Sequence, residues 1–176
     1  MAIREIVFHP NDTLRRKAAP IEQFDPALRA LSKDMLETMQ LAEGVGLAGP
    51  QIGVAQRIFV MRVRENDQRA EGDPLAGKPL VLINPEIVEE SLEMVEGMEG
   101  CLSIPGYAGL VDRHQKIVVL ARNEWGKPKR YVVEGYLARV MQHEIDHLDG
   151  ILFLDRLKGD DKLFKVVEHE EEAASE

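Results

Sequence analysis

Only one cysteine, Cys101, occurs in the 176 residues, so no disulfide can form within the chain and a reducing compartment is the expectation. No segment, the start Met1-Ala2-Ile3-Arg4-Glu5 included, offers a signal-peptide core or an apolar run long enough to cross a bilayer. A cytoplasmic protein without a membrane partner is therefore expected. Positive charge is in deficit: 22 Lys and Arg against 31 Asp and Glu leave a net charge of -9, which argues against the basic stripes that coat nucleic acid. Internal repeats are absent as well. What is present is 44% hydrophobic residues in a chain long enough for one sizeable core and too short for two generous ones. One domain over residues 1-176 is expected, with an acidic tail from about residue 158.

Periodicity supplies the elements. Asp25-Pro26 reads as an N-cap and first-turn pair, and Leu28, Leu31, Met35, Leu36 and Met39 recur at helical spacing until Glu43-Gly44. Strands are expected at 57–61, at 79–87 with Asn84-Pro85 bending the latter, at 110–111, 116–121 and 130–133, and at 151–154. Asn123 to Lys127 supplies a turn, and the charged stretch 67–78 an exposed loop. A broadly apolar helix is expected over about 134–148, stopped by Asp149-Gly150. No β-α-β alternation occurs, so the expected class is α+β, with antiparallel sheets packed around that late helix as its centre.

The late helix carries the chain's most informative run, Gln142-His143-Glu144-Ile145-Asp146-His147. Residues four apart lie one above the other on a helix, so both imidazoles can reach one divalent ion. Glu144, next to the first histidine, points near that ion without being needed as a ligand and is free to act as a base. Two histidines do not hold a catalytic metal firmly, and a third ligand is required. The candidates are Cys101, a carboxylate, and His9, His114 or His169. Cys101 is favoured, because Gly100 and Gly106 flank its segment and a thiolate gives the metal more electron density than a neutral imidazole.

Gly44-Val45-Gly46-Leu47-Ala48-Gly49 spells a G-x-G-x-x-G, the pattern of a dinucleotide-binding loop. That loop needs a strand before it and a helix opening within it, so that phosphate meets the helix N-terminus. Here the order is inverted, with a long helix before and a strand after. A helix-to-strand connection accounts for the glycines, but not for the neighbouring Gln51.

Three segments together, Gly44 to Gln51, Glu99 to Ser103 and Gln142 to His147, resemble the peptide deformylases, whose patterns are G-x-G-L-A-A-P-Q, E-G-C-L-S and Q-H-E-x-D-H in the same order. The resemblance extends to about residue 157. Gly49 departs from it, standing where the family usually has alanine, a change expected to loosen the loop. The resemblance implies Cys101, His143 and His147 as metal ligands, Glu144 as acid and base, and a catalytic set completed by Gly46, Gln51 and the Leu102 backbone N–H. Gln51 and Leu102 would meet the charge that develops on a formyl oxygen. It further implies a methionine side-chain pocket formed by Val45 with Tyr136, Arg139 and Val140, which lie seven, four and three residues before His143.

The implied reaction removes the formyl group from the N-terminal formyl-methionine of newly made polypeptides and releases formate. The implied cofactor is Fe(II), with Zn(II), Ni(II) or Co(II) as substitutes. A broader H-E-x-x-H metallopeptidase and a noncatalytic metal-binding relative are the alternatives. The resemblance also implies an ion pair of Glu99 with Arg113, and Asp146 is a candidate to orient a ligand histidine. A monomer is expected. Ribosome contact is expected to be weak at most, through Lys158, Lys162 and Lys165, because the run Glu168-His169-Glu170-Glu171-Glu172 repels RNA.

Overall fold

The computed structural model describes residues 2–166. Two α-helices and eight strands occur among them: α1 (Pro26–Leu41), β1 (Gly46–Ala48), β2 (Ile58–Met61), β3 (Leu80–Glu90), β4 (Met94–Cys101), β5 (Ile104–His114), β6 (Lys116–Arg122), β7 (Pro128–Glu134), α2 (Gly135–Leu148) and β8 (Leu163–Lys165). Five strands form one antiparallel sheet in the order β1-β2-β3-β6-β7, and three form a second in the order β4-β5-β8. The fold is thus a mixture of helices with antiparallel sheets, as the lack of β-α-β alternation implied.

Strand β2 shows how the apolar pattern builds the core. Successive side chains point to opposite faces, so Phe59 and Met61 pack with Leu137, Met141 and Ile145 of α2, while Ile58 and Val60 pack with Leu28, Met35 and Met39 of α1. A strand covered on both faces reads as an unbroken hydrophobic run, which Ile58-Phe59-Val60-Met61 is. Each such buried side chain contributes on the order of 1.5–3 kcal/mol. Helix α1 begins as expected, with the Asp25 carboxylate accepting from Leu28 N–H at 2.9 Å and Pro26 at the first helical position.

Helix α2 is buried at every residue from Leu137 to Leu148. Its apolar residues face the five-stranded sheet. Its polar residues reach the other sheet: Gln142 exchanges two hydrogen bonds with the His114 backbone at 3.0 and 2.9 Å, and Arg139 donates to the Val111 carbonyl at 2.7 Å. Residues 142–147 therefore lie where the two sheets meet.

Several expected elements are redrawn. The stretch 46–48, expected to be a glycine connection, pairs with β2 as β1. The expected strand at 110–111 is the far part of an eleven-residue strand, and its partner β4 went unread because Gly97, Gly100 and two glutamates dilute the apolar pattern. Residues 153–156 form a 3-10 turn rather than a strand, because the Asp155 carboxylate accepts from Leu152 N–H at 2.9 Å and closes the chain locally. Residues 163–165, assigned by composition to the tail, form β8 against β5, and Leu163 packs beside Phe153 and Leu157. The acidic residues 168–176, His169 with them, lie outside the described residues.

The segment before the first helix is tied down by charge. Asp34, buried on α1, accepts from Ala2 N–H at 2.9 Å and from Arg4 Nε and Nη2 at 3.0 and 2.7 Å, and Thr38 Oγ1 accepts from Arg4 N–H at 2.8 Å. The Ala2 N–H bond, aided by Arg4 against the opposing effect of burial, holds the Asp34 carboxyl below its ordinary value of 3.8. A lowered carboxyl stabilises the native state above the unfolded value and ceases to do so as pH falls through the native one. Asp34→Asn is expected to cost about 1 kcal/mol near neutral pH, with the difference from wild type shrinking as pH is lowered to about 3. Urea midpoints at the two pH values measure this, and a constant difference would contradict it.

Candidate functional site

Two ligand-type side chains come from adjacent turns of α2 and a third from the end of β4. The potential ligand atoms of Cys101, His143 and His147 all lie within 4.8 Å of one another, with Cys101 Sγ 3.3 Å from His147 Nε2. The sulfur is aimed there by a register shift in the β4-β5 pair between Gly100 and Cys101, the kind of local irregularity that redirects a side chain. His143 Nδ1 lies 2.8 Å from Glu99 Oε1, which leaves its Nε2 for the shared space. Burial drives the His147 imidazole toward its neutral form, the form that offers a lone pair. Its Nδ1 has no hydrogen-bond partner among the described residues. A thiolate with two imidazoles is a donor set suited to a borderline-soft divalent ion, and three ligands leave a position open.

Glu144 lies beside this cluster. Its carboxylate is buried, and Oε2 has no hydrogen-bond partner among the described residues. Burial pushes its pKa to about 7, with the Glu99 charge adding to the effect and His143 opposing it. Such a group can both take and return a proton near neutral pH. Gln51 also reaches the cluster: its Oε1 accepts from Ala48 N–H at 2.8 Å, which turns Nε2 toward Ser103 Oγ at 3.2 Å and Cys101 Sγ at 3.5 Å.

One cavity of about 320 Å³ collects these groups. Gln51, Cys101, Leu102, His143 and Glu144 line it, Gly46 forms part of its wall, and His147 sits behind the sulfur. Val45, Tyr136, Arg139 and Val140 line the same cavity. Arg139 is more than a wall: it donates to Glu99 Oε2 at 2.8 Å and to the backbone carbonyls of Val111 and Val95 at 2.7 and 2.6 Å, so its charge is spent on the strands behind the cavity. His9 is exposed, and His114 Nδ1 is engaged by the Ser91 carbonyl at 2.7 Å; neither joins the cluster.

The ion pairs behind the cluster differ in part from expectation. Glu99 and Arg113 do pair, at 2.8 and 2.9 Å. Asp146 orients neither histidine. It is taken by Arg113 at 2.7 Å and by Arg156 at 2.9 and 3.1 Å, and Glu99 is the carboxylate on His143. Asp146 was a candidate for this role, with a helix-surface position as the alternative, whereas the partner that reaches Nδ1 comes from another element. Arg69 also lines the cavity and was not legible, since it sits in a charged loop with no periodic signal.

Two glycines are required by close approach. A Cβ on Gly46 would lie 2.3 Å from Glu144 Oε1, so β1 passes directly beneath the carboxylate. A Cβ on Gly49 would lie 2.8 Å from the carbonyl oxygens of both Val54 and Gln56. Gly49 therefore lets the loop close on itself, contrary to the expected loosening.

The polypeptide deformylase family model matches residues 3–163. A peptide deformylase of Thermomicrobium roseum is 47% identical over 174 residues, covering 99% of this chain and 97% of that protein. Among solved structures, the peptide deformylase of Ehrlichia chaffeensis in complex with actinonin is 43% identical with a TM-score of 0.83, covering 89% of this chain and 90% of that one. The Met-Ala-Ser-bound class I type b peptide deformylase of Acinetobacter baumannii is 35% identical with a TM-score of 0.82, covering 89% and 99%.

Overfilling a packed site typically costs about 1–3 kcal/mol. Gly46→Ala is expected to lower stability by that amount and to displace the Glu144 carboxylate, read by thermal unfolding and by the variant's crystal structure. An unchanged Tm with Glu144 in place would contradict the close packing.

Proposed function

The chain belongs to the polypeptide deformylase family, a family of hydrolases, and from that membership we propose that it removes the formyl group from N-formyl-methionyl peptides in a metal-dependent hydrolysis. The observation that carries the reading is the convergence of Cys101, His143 and His147 ligand atoms within 4.8 Å, beside a carboxylate whose pKa is near 7 and an amide N–H aimed at the same sulfur. In this reading Cys101, His143 and His147 hold one divalent ion, which when bound supplies Lewis-acid polarisation at the reacting centre.

The chain's own residues do the rest. Val45, Tyr136 and Val140 receive the methionine side chain, an unbranched thioether suited to an apolar slot. Glu144 takes the proton of the attacking water as its oxygen bonds to the formyl carbon. Gln51 Nε2–H and the Leu102 backbone N–H donate to the carbonyl oxygen as charge collects there, each such donor being worth on the order of 3 kcal/mol. As the carbon–nitrogen bond breaks, Glu144 returns the proton to the leaving amine, giving formate and a peptide with a free amino terminus. Every residue named comes from one chain, so the reading requires no second subunit.

The Met-Ala-Ser bound to the Acinetobacter relative has the composition of such a product and supports this choice of substrate. Nascent chains are then the natural partners. Ribosome contact stays weak in this reading, because Lys158 pairs with Asp112 and Lys162 pairs with Glu96 at 3.0 Å. Among the described residues no helix is long and apolar enough to cross a membrane.

Glu144→Gln is expected to reduce formate release from formyl-Met-Ala-Ser by about 10²–10⁴-fold while metal content by elemental analysis stays at one ion per chain. Retained activity would remove Glu144 from the mechanism. Iron is the native ion in this proposal, and both Fe(II) and a thiolate are oxidisable. Protein purified anaerobically with iron is expected to lose formate release in air faster than the zinc form does. Equal rates and equal air stability of the two forms would overturn the choice of iron.

A further inference from the structure

The cavity that holds the reacting groups has a neighbour. A second hollow of about 480 Å³ is lined by the 72–75 segment of the charged loop, by the end of β7 and by the start of α2. The two cavities share two lining residues, Arg69 and Tyr136, and no others. The Arg69 guanidinium carbon lies 4.0 Å from the centre of the Tyr136 ring, a stacked cation–π contact. Tyr136 stands seven residues before His143, about 10 Å along the helix from it. The pair therefore occupies the end of the first cavity remote from the ligand cluster.

Arg69 is held in this position although its side chain is 59% exposed. Its Nε and Nη2 form a two-pronged bond with Asp67 at 2.9 and 2.7 Å, and Asp67 Oδ1 also accepts from Arg69 N–H at 3.0 Å, capping the short turn Gln68–Ala70. Ala70 of that turn is buried in the same apolar cluster as Leu137 and Val140, so the turn is anchored on α2. A guanidinium with two donors committed to a capping carboxylate and its face committed to a ring has little freedom to swing aside.

We propose that Arg69 is a specificity-determining residue: stacked on Tyr136, it closes the far end of the side-chain pocket and limits the length of the unbranched chain admitted there. The inference rests on the assignment of this cavity to the methionine side chain. With the arginine in place, a thioether ends against the stack. Without it, the first cavity opens into the second, and a longer straight chain can continue past Tyr136 toward Leu75.

The test uses the metal-loaded full chain and reads binding separately from turnover. Dissociation constants are measured by calorimetry for Met-Ala-Ser and for the same peptide with 2-aminooctanoic acid, whose side chain is a straight hexyl group, in place of methionine. Wild type is expected to favour Met-Ala-Ser, and Arg69→Ala to shift the ratio of the two constants by at least about tenfold toward the longer chain, the effect of one or more methylenes gaining room in an apolar pocket. Asp67→Asn, which keeps a capping side chain but weakens the two-pronged bond, is expected to shift the ratio in the same direction by less. A ratio unchanged in Arg69→Ala, or a larger shift in Asp67→Asn than in Arg69→Ala, would overturn the proposal. Formate release from formyl-Met-Ala-Ser by wild type is scored independently: its absence would defeat the hydrolase reading and leave the binding ratios to judge Arg69.

Discussion

One buried carboxylate, Glu99, sets the position of nearly everything around the ligand cluster. It accepts from Arg113 Nε and Nη2, from Arg139 Nη1 and at Oε1 from His143 Nδ1, all between 2.8 and 2.9 Å. These bonds join β4, β5 and α2 through a single side chain. Burial opposes the charge on Glu99, yet the Arg113 and His143 bonds outweigh it and hold the carboxyl down to about 2. A partly satisfied network of this kind would be worse than an apolar core, since removing one partner from a buried ion pair costs about 3–5 kcal/mol. Arg113 is therefore shared with Asp146, which Arg156 also engages, so that each charge faces an opposite one. The chemical consequence lies on His143: with Nδ1 committed, Nε2 has one direction in which to offer its lone pair.

The same constraint separates two carboxylates that begin with similar chemistry. Glu99 and Glu144 are both buried, both beside His143, and their pKa values are driven apart to about 2 and about 7. The Arg113 and His143 hydrogen bonds to Glu99 account for the difference. Glu99 has two guanidiniums in hydrogen-bond contact, whereas Glu144 meets glycine backbone on one side and the cavity on the other. Opposed shifts within one site are what allow one acid to remain a fixed charge while the other exchanges a proton. Gly46 contributes by omission, because any side chain there would occupy the space of the Glu144 carboxylate.

How much of this could be read from residues alone depended on whether the signal was local. The histidine pair was legible because four-residue spacing on a helix is a geometric statement. Helix α1 was legible from its cap and apolar stripe, and β2 from its unbroken run. Cys101 was favoured once the histidine pair called for a third ligand, and the surrounding E-G-C-L-S pattern agreed with it, although a lone cysteine has a buried-hydrophobe reading too. Strand β4 was missed because its stability comes from pairing with β5 and from Arg139 beneath it, rather than from its own alternation. Asp146 was only a candidate for the role that Glu99 fills, since neighbours along a helix are visible in sequence and neighbours across sheets are not. Arg69 lay in a stretch whose composition says only that it is exposed, and its stacking on Tyr136 is purely tertiary.

The placement of the three potential ligand atoms follows from where rigidity is greatest. His143 and His147 are one turn apart on a helix buried along that whole stretch, so their separation is set by backbone geometry and not by side-chain choice. Cys101 enters from the last residue of a strand, at the point where the register with β5 slips, which turns a residue of regular alternation out of its sheet and toward the helix. Gln51 is fixed in turn by Ala48 N–H at its Oε1 and Ser103 Oγ at its Nε2. A cluster assembled this way can sit in a chain that is acidic overall, because the local field is governed by Arg113, Arg139 and Arg156 and not by the net charge of -9. Distant acidic residues are screened by solvent over about 10 Å, whereas the guanidiniums act at hydrogen-bond distance. Surface charge can therefore vary while the positions of the sulfur and imidazoles stay the same.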